Sequence, residues 1–216
     1  MSHLLTAGIL QQARNLAGGK QYALSFDGVD GYAMIMESLI LDGIKDSFRV
    51  VIKSKYPSAS LYETFFGFGN SQPALLFRNL TTASEGAIHS GPGSLTGIPS
   101  IDLPADGDWH IYDISLSGGM LTISIDGVEI ASQSQGADEL SIQDYISISA
   151  WLSRDIGMVW FKQQEVEYFK IWKDFAMTEP FMILDMNEGS GNTLFDSSEN
   201  NRNMTVYGSN NIWKKL

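Results

Sequence analysis

The sequence contains no cysteine, which removes disulfide cross-links, thiolate metal ligands and thiol nucleophiles together. A chain of 216 residues does not depend on such staples, because a domain of that size buries roughly 70% of the surface its unfolded form exposes. Histidine is scarce: His3, His89 and His110 are too scattered to spell a zinc site. Positive charge is scarce too, with 14 Lys and Arg against 25 Asp and Glu, a net charge of −11. Such a surface repels phosphate, so neither nucleic acid nor an anionic membrane is expected as a partner. No apolar run reaches the roughly 20 residues that span a bilayer. The start, Met1-Ser2-His3-Leu4-Leu5, has neither a basic region nor a continuous apolar stretch, so no export signal is expected. With cysteine absent, this fits synthesis and assembly in a reducing cytoplasm.

What is present reads as an ordered all-β protein. Hydrophobic residues make up 44% and charged ones 18%, a globular balance rather than a disordered one. Residues 4–17 form the one helical pattern: Leu5, Ile9, Ala13 and Leu16 fall on a single stripe, and Gly18-Gly19 supplies a stop. That stripe either packs on its own domain or acts as an assembly arm docking on a partner subunit through Leu5, Ile9 and Leu16. From Tyr22 the period changes to two, with Leu24 and Phe26 alternating with Ser25 and Asp27. Further strands are expected at 32–36, 48–54, 61–67, 73–79, 145–151 and 166–172. The runs 109–116, 120–125 and 128–132 form a meander closed by Ser117-Gly118-Gly119 and Asp126-Gly127. Between Leu80 and Pro104, Ser, Thr, Gly and Pro accumulate, and one weak strand is expected there. The organisation that follows is an N-terminal arm over 1–19 and one antiparallel β-sandwich over 20–216.

Four stretches then carry a family resemblance. They are Ala23-Leu24-Ser25-Phe26-Asp27-Gly28-Val29-Asp30, the pair Asp108-Trp109-His110 with Leu121 to Glu129, Val166 to Trp172 with Met177-Thr178-Glu179, and Asn187-Glu188-Gly189-Ser190-Gly191 running into Asp196 to Asn201. Together they resemble the laminin-G-like, jelly-roll domains of the concanavalin A-like lectin and glucanase superfamily. In many relatives the Asn-Glu-Gly-Ser-Gly element precedes the Phe-Asp-Gly strand, whereas here it comes last. The resemblance implies recognition of glycans or protein surfaces. It also implies calcium at a sandwich rim, for which Asp27 and Asp30 are the candidates; as plain residues they are turn formers. Such domains are common in phage tail, fibre and capsid-decoration proteins. That implies a virion component assembled in the host cytoplasm, partnered by other virion proteins or glycans and forming a homo-oligomer or part of a larger assembly. An extracellular adhesin or carbohydrate-binding module is the alternative.

Glucanases of this superfamily place three carboxylates along one strand face. The nearest pattern here is Glu165-Val166-Glu167 with Lys170 in the third position, two carboxylates about 7 Å apart on one face. Without the third acid, catalysis is not expected. No strand-to-helix nucleophile elbow occurs, and Gly91-Pro92-Gly93-Ser94 lacks the lysine of a phosphate cradle. A sugar site needs an aromatic platform ringed by polar groups. The candidates are Tyr62, Trp151, Arg154, Asp155 and Trp160, although both tryptophans fit a core equally well. Trp109 is expected to be a buried anchor, and His110 beside it a structural hydrogen-bonding residue.

Overall fold

The computed structural model describes residues 22–36, 47–55, 64–68, 75–79, 85–89, 101–104, 106–134, 145–153, 157–159, 161–178 and 180–216. The helical pattern at 4–17, with Leu5, Ile9 and Leu16, lies outside the described residues. The first strands are β1 (Tyr22–Asp27), β2 (Tyr32–Met36), β3 (Phe48–Lys55), β4 (Thr64–Phe68), β5 (Leu75–Asn79), β6 (Glu85–His89) and β7 (Ile101–Asp102). The meander follows as β8 (His110–Ser117), β9 (Met120–Ile125) and β10 (Val128–Ser134). After it come β11 (Tyr145–Ile148), β12 (Trp151–Ser153), β13 (Gly157–Val159) and β14 (Gln163–Trp172). The chain closes with β15 (Pro180–Leu184), β16 (Thr193–Leu194), β17 (Met204–Tyr207) and β18 (Ile212–Lys215).

Two antiparallel sheets result. One runs β10-β9-β8-β3-β14-β1-β18, with β15 also paired to β14; the other runs β16-β17-β2-β11-β4-β5-β6-β7. β3 shows how the sequence builds the sandwich. Phe48, Val50, Ile52 and Ser54 are buried, whereas Arg49, Lys53 and Lys55 reach the outer face, which is the two-residue period of a strand covered on one side. Between the sheets, Phe26, Phe48, Phe65, Phe66, Tyr112, Phe169 and Phe181 are fully enclosed. Aromatic contacts cross the core, Phe65 to Tyr112 at 5.2 Å and Phe66 to Phe169 at 5.6 Å between ring centroids.

The meander forms as its sequence predicts. Asp126 (φ 52°) and Gly127 (φ 80°) both take positive φ, the geometry that lets a two-residue turn match strand twist. Three expectations need correction. The 80–104 region holds two strands among its described residues, β6 and β7, which pair with each other; backbone pairing supplies what their sparse apolar residues do not. The 145–151 run is two strands, because Ser149 takes φ 70° and its N–H turns to the Phe65 carbonyl at 2.9 Å. Residues 145–150 are buried throughout rather than alternately. Trp109 is half-buried on the outer face, with the Lys53 and Lys55 ammonium groups 5.7 and 5.2 Å from its ring. Tyr112, three residues on, fills the core in its place.

The displaced C-terminal element also finds its position. Gly189 sits against the Tyr22 ring of β1, where an added Cβ would come within 3.0 Å of Tyr22 Cζ. β18 pairs with β1 through Tyr22↔Lys215 and Leu24↔Trp213. The Asn-Glu-Gly-Ser-Gly segment comes after the Phe-Asp-Gly strand in the sequence and yet lies beside it.

Candidate functional site

The outer face of the first sheet carries the carboxylate pair. β14 bulges at Glu167, where the register with β3 slips between Val166 and Tyr168, so Glu165 and Glu167 both meet the outward lysines of β3. Lys53 Nζ lies 2.5 Å from Glu167 Oε2 and Lys55 Nζ 3.2 Å from Glu165 Oε2. Lys214 of β18 takes the other Glu165 oxygen. The two side chains are only 9% and 17% exposed, so each is engaged by ammonium groups and little of either faces solvent. Hydrolysis of a glycosidic bond requires one carboxyl to protonate the leaving oxygen and another to attack or activate water. Here both acids serve instead as partners of Lys53, Lys55 and Lys214.

The rim between the sheets is built by two turns. Asp27 ends β1, and its Oδ1 accepts the backbone N–H groups of Val29 (2.9 Å), Asp30 (3.1 Å) and Gly31 (3.0 Å). Its Oδ2 accepts from Asn210 Nδ2 at 3.2 Å. Burial works against the Asp27 charge, but these four donors outweigh it and hold the carboxyl below its ordinary range. Asp30 accepts from the backbone N–H of Ser209 at 3.2 Å and from its hydroxyl at 3.0 Å. Asp27 and Asp30 thus tie the 28–31 turn to the 208–211 turn. Three amides fill the Asp27 Oδ1 lone pairs and Asn210 takes one position on Oδ2, so calcium at this rim would have to draw on Asp30 and the rest of Asp27 Oδ2. Among the described residues no group of three or more His, Asp and Glu converges on a metal position.

Directly beside this rim stands an aromatic row that sequence reading did not single out. Tyr32 and Tyr207, registered opposite each other on β2 and β17, stack with centroids 4.8 Å apart and planes inclined by 15°. Phe161 closes on Tyr32 at 5.9 Å. Alternation is what places them: Ala33 and Val206 belong to the core, so their neighbours Tyr32 and Tyr207 face outward. Tyr207 is 41% exposed. Burial, and then the neighbouring Tyr207, raise the Tyr32 phenol.

Of the five residues proposed from sequence as a sugar platform, only Trp151 falls among the described residues. Trp151 begins β12 and is registered with Val159 of β13, and β12 runs beside β11 and β4. Tyr62, Arg154, Asp155 and Trp160 lie outside the described residues. Next to this hairpin is a buried polar seam. Ser54 Oγ donates to Gln164 Oε1 at 2.8 Å, Gln164 Nε2 donates to the Phe65 carbonyl at 3.2 Å, and Lys162 N–H donates to the Ser149 carbonyl at 2.9 Å. Lys162 is fully buried, its Nζ 4.1 Å from the Phe65 ring centroid. No local pattern marks a lysine for burial, so only the packing reveals it.

His110 is the hydrogen-bonded residue expected. Its Nδ1 lies 2.6 Å from Asp126 Oδ2 and its Nε2 3.2 Å from Asp106 Oδ1. Desolvation opposes the charged ring, but the two carboxylates prevail and raise the imidazole. They stand on opposite sides of the ring and cannot converge on one ion. Asp196 likewise acts as a turn former. It is buried, and its oxygens accept from the backbone N–H groups of Ile183, Ser198 and Arg202 and from Ser198 Oγ.

The strand order and the sheet pair can be set against solved structures. A Bacteroides ovatus ATCC 8483 protein considered to be carbohydrate binding superposes with a TM-score of 0.66 over 91% of this chain, at 13% identity. Domains LG4-5 of the mouse laminin alpha1 chain superpose at 0.52 over 77% of it, at 12% identity. The fold is a laminin-G-like, concanavalin A-like jelly roll. The same jelly roll recurs in botulinum neurotoxin type C, at a TM-score of 0.52 and 11% identity over 71% of the chain. That toxin's cell entry depends on interaction with two ganglioside molecules. This chain spans 60% of the Bacteroides protein, 45% of the laminin fragment and 39% of the toxin chain. No family model and no curated protein sequence matches it.

Proposed function

We propose that this jelly roll is a non-catalytic binding protein whose ligands are glycans, carried by a phage virion as a tail, fibre or capsid-decoration component. The observation that carries the binding half is the outer face of the first sheet. Its carboxylate pair, the one arrangement resembling a glucanase strand, is engaged by Lys53, Lys55 and Lys214. Similarity to a carbohydrate-binding protein and to a ganglioside-dependent toxin supports glycans as the ligand class. In this reading Tyr62, Trp151, Arg154, Asp155 and Trp160 form one sugar-contacting region, and residues 1–19 attach the domain to the particle.

A glycan array probed with the full chain, with Trp160→Ala as control, tests the binding half. Binding weakened by the substitution supports that region; an array with no binding overturns glycan recognition. Reducing-sugar release that disappears in Glu167→Gln would overturn the non-catalytic assignment. Deleting residues 1–19 is expected to abolish particle attachment while leaving a folded monomer, and retained attachment removes the arm. A second reading, a bacterial carbohydrate-binding module or adhesin, is favoured by the 91% overlap with the Bacteroides protein. It predicts binding to isolated glycans and no incorporation into particles.

A further inference from the structure

We infer that the outward face of Tyr207, with the Asp30–Ser209 turn contact beside it, is a binding shelf for the apolar face of a neutral pyranose, separate from the β12–β13 region. The inference rests on the glycan-binding reading and names a site and a sugar class for it. Its first support is the ring itself. Tyr207 is 41% exposed, and Tyr32 backs it in a near-parallel stack, itself flanked by Phe161. A tyrosine covered on one side by another ring keeps its second face for a ligand, and it loses few rotamers on binding because the stack already fixes it.

The second support is rigidity and space around that ring. The Asn211 side-chain amide donates to the Tyr207 carbonyl, and Ser209 N–H and Oγ donate to Asp30, so the turn after Tyr207 is fixed before any ligand arrives. On the other side, Thr193 is paired with Thr205 and the Val206 N–H donates to the Asn192 carbonyl at 2.8 Å. Continuing that register brings Gly191 level with Tyr207, and a Cβ placed on Gly191 would meet nothing within 4 Å. The edge beyond the ring is open.

The third support is charge, which selects the sugar class. The two turns, Gly28-Val29-Asp30-Gly31 and Gly208-Ser209-Asn210-Asn211, contain no cation, and Asp27 and Asp30 stand among them. A carboxylate has about four acceptor positions; Ser209 occupies part of the Asp30 set. The remainder can accept sugar hydroxyl protons, and the exposed Asn210 can complement them. A sialylated or sulfated sugar would meet repulsion with no compensating arginine or lysine on either turn.

Saturation-transfer difference NMR on the full chain tests this, using methyl pyranosides of galactose, glucose and mannose as probes and N-acetylneuraminic acid as the anionic counterpart. Transfer to the ring C–H protons of at least one methyl pyranoside is expected. Tyr207→Ala should weaken it roughly 10-fold, while Tyr207→Phe, which keeps the ring, should preserve it. Amide shift changes in the native chain should centre on Tyr32, Tyr207 and Ser209, a readout that stands even if Tyr207→Ala fails to fold. Transfer that survives in a folded Tyr207→Ala, or shift changes confined to the β12–β13 region, overturns the shelf and leaves glycan recognition intact. Transfer to the anionic sugar alone overturns the neutral class. No transfer from any probe, together with an empty glycan array, overturns both.

Discussion

Asp27-Gly28 and Asp126-Gly127 are the same dipeptide, each following a strand, and both glycines hold φ near 80°. After Asp126 the chain folds straight back, and Val128 pairs with Ile125. After Asp27 it does not: β1 pairs with β14 and β18, while β2 pairs with β11 and β17 in the opposite sheet. The carboxylates explain the difference. Asp126 Oδ1 accepts from Ile111 N–H on the neighbouring strand at 2.9 Å, which holds a flat hairpin in its sheet. Asp27 Oδ1 instead gathers three amides of its own turn and curls the backbone into an arch from one sheet to the other. A turn signal therefore specifies that the chain changes direction. Which strand receives it is decided by the partners on offer.

Substituting the two glycines separates the cases most strongly. A Cβ at Gly28 would lie 2.8 Å from the Gln163 backbone nitrogen, whereas one at Gly127 would meet nothing within 4 Å. Gly28→Ala is expected to cost about 3 kcal/mol, from backbone conformation plus clash, and Gly127→Ala about 1 kcal/mol from conformation alone. Urea unfolding midpoints measure both, and equal losses would erase the distinction between arch and hairpin. Truncating the aspartates gives a smaller contrast. Asp27→Ala strands three amides and should cost about 2 kcal/mol, against about 1 kcal/mol for Asp126→Ala. A larger loss at Asp126 would reverse the assignment.

The smallest effects lie in pH, and their signs differ. Asp27 has a depressed pKa, so its stabilisation is present above its ordinary value of 3.8 and is lost as pH falls through the folded value. His110, bridging Asp126 and Asp106, has a raised one. Its stabilisation is complete below 6.5 and is lost as pH rises through the folded value. Asp27→Asn should flatten the acid arm of a stability profile and His110→Gln the arm above neutrality. Either variant flattening the opposite arm would contradict these contacts.

Much of the fold was legible because β-structure writes itself locally. The alternation in 109–132 and its two turns became β8, β9 and β10 with almost unchanged limits. Legibility failed where a strand has no free face: residues 145–150 are buried throughout, so their pattern could not show where β11 stops. It failed again at Trp109, because large apolar area argues for burial while two lysines from β3 supply a favourable surface position. The rim was partly legible, since Asp27 and Asp30 were already marked as turn formers. Tyr32 and Tyr207 were not, being 175 residues apart and brought together by the pairing of β2 with β17.

By itself the sequence determined the class of the molecule: an acidic, cysteine-free β-sandwich, with the hairpins of its meander at Gly118-Gly119 and Asp126-Gly127. Those properties depend on composition and on neighbours within a few residues. Only the tertiary structure decided that Glu165 and Glu167 would be engaged by lysines, that Lys162 would be buried, and that the C-terminal strands would flank β1 and β2. Each of those outcomes depends on a partner far along the chain. Long-range pairing follows from burying both sheets' apolar faces at once, and no local pattern encodes it.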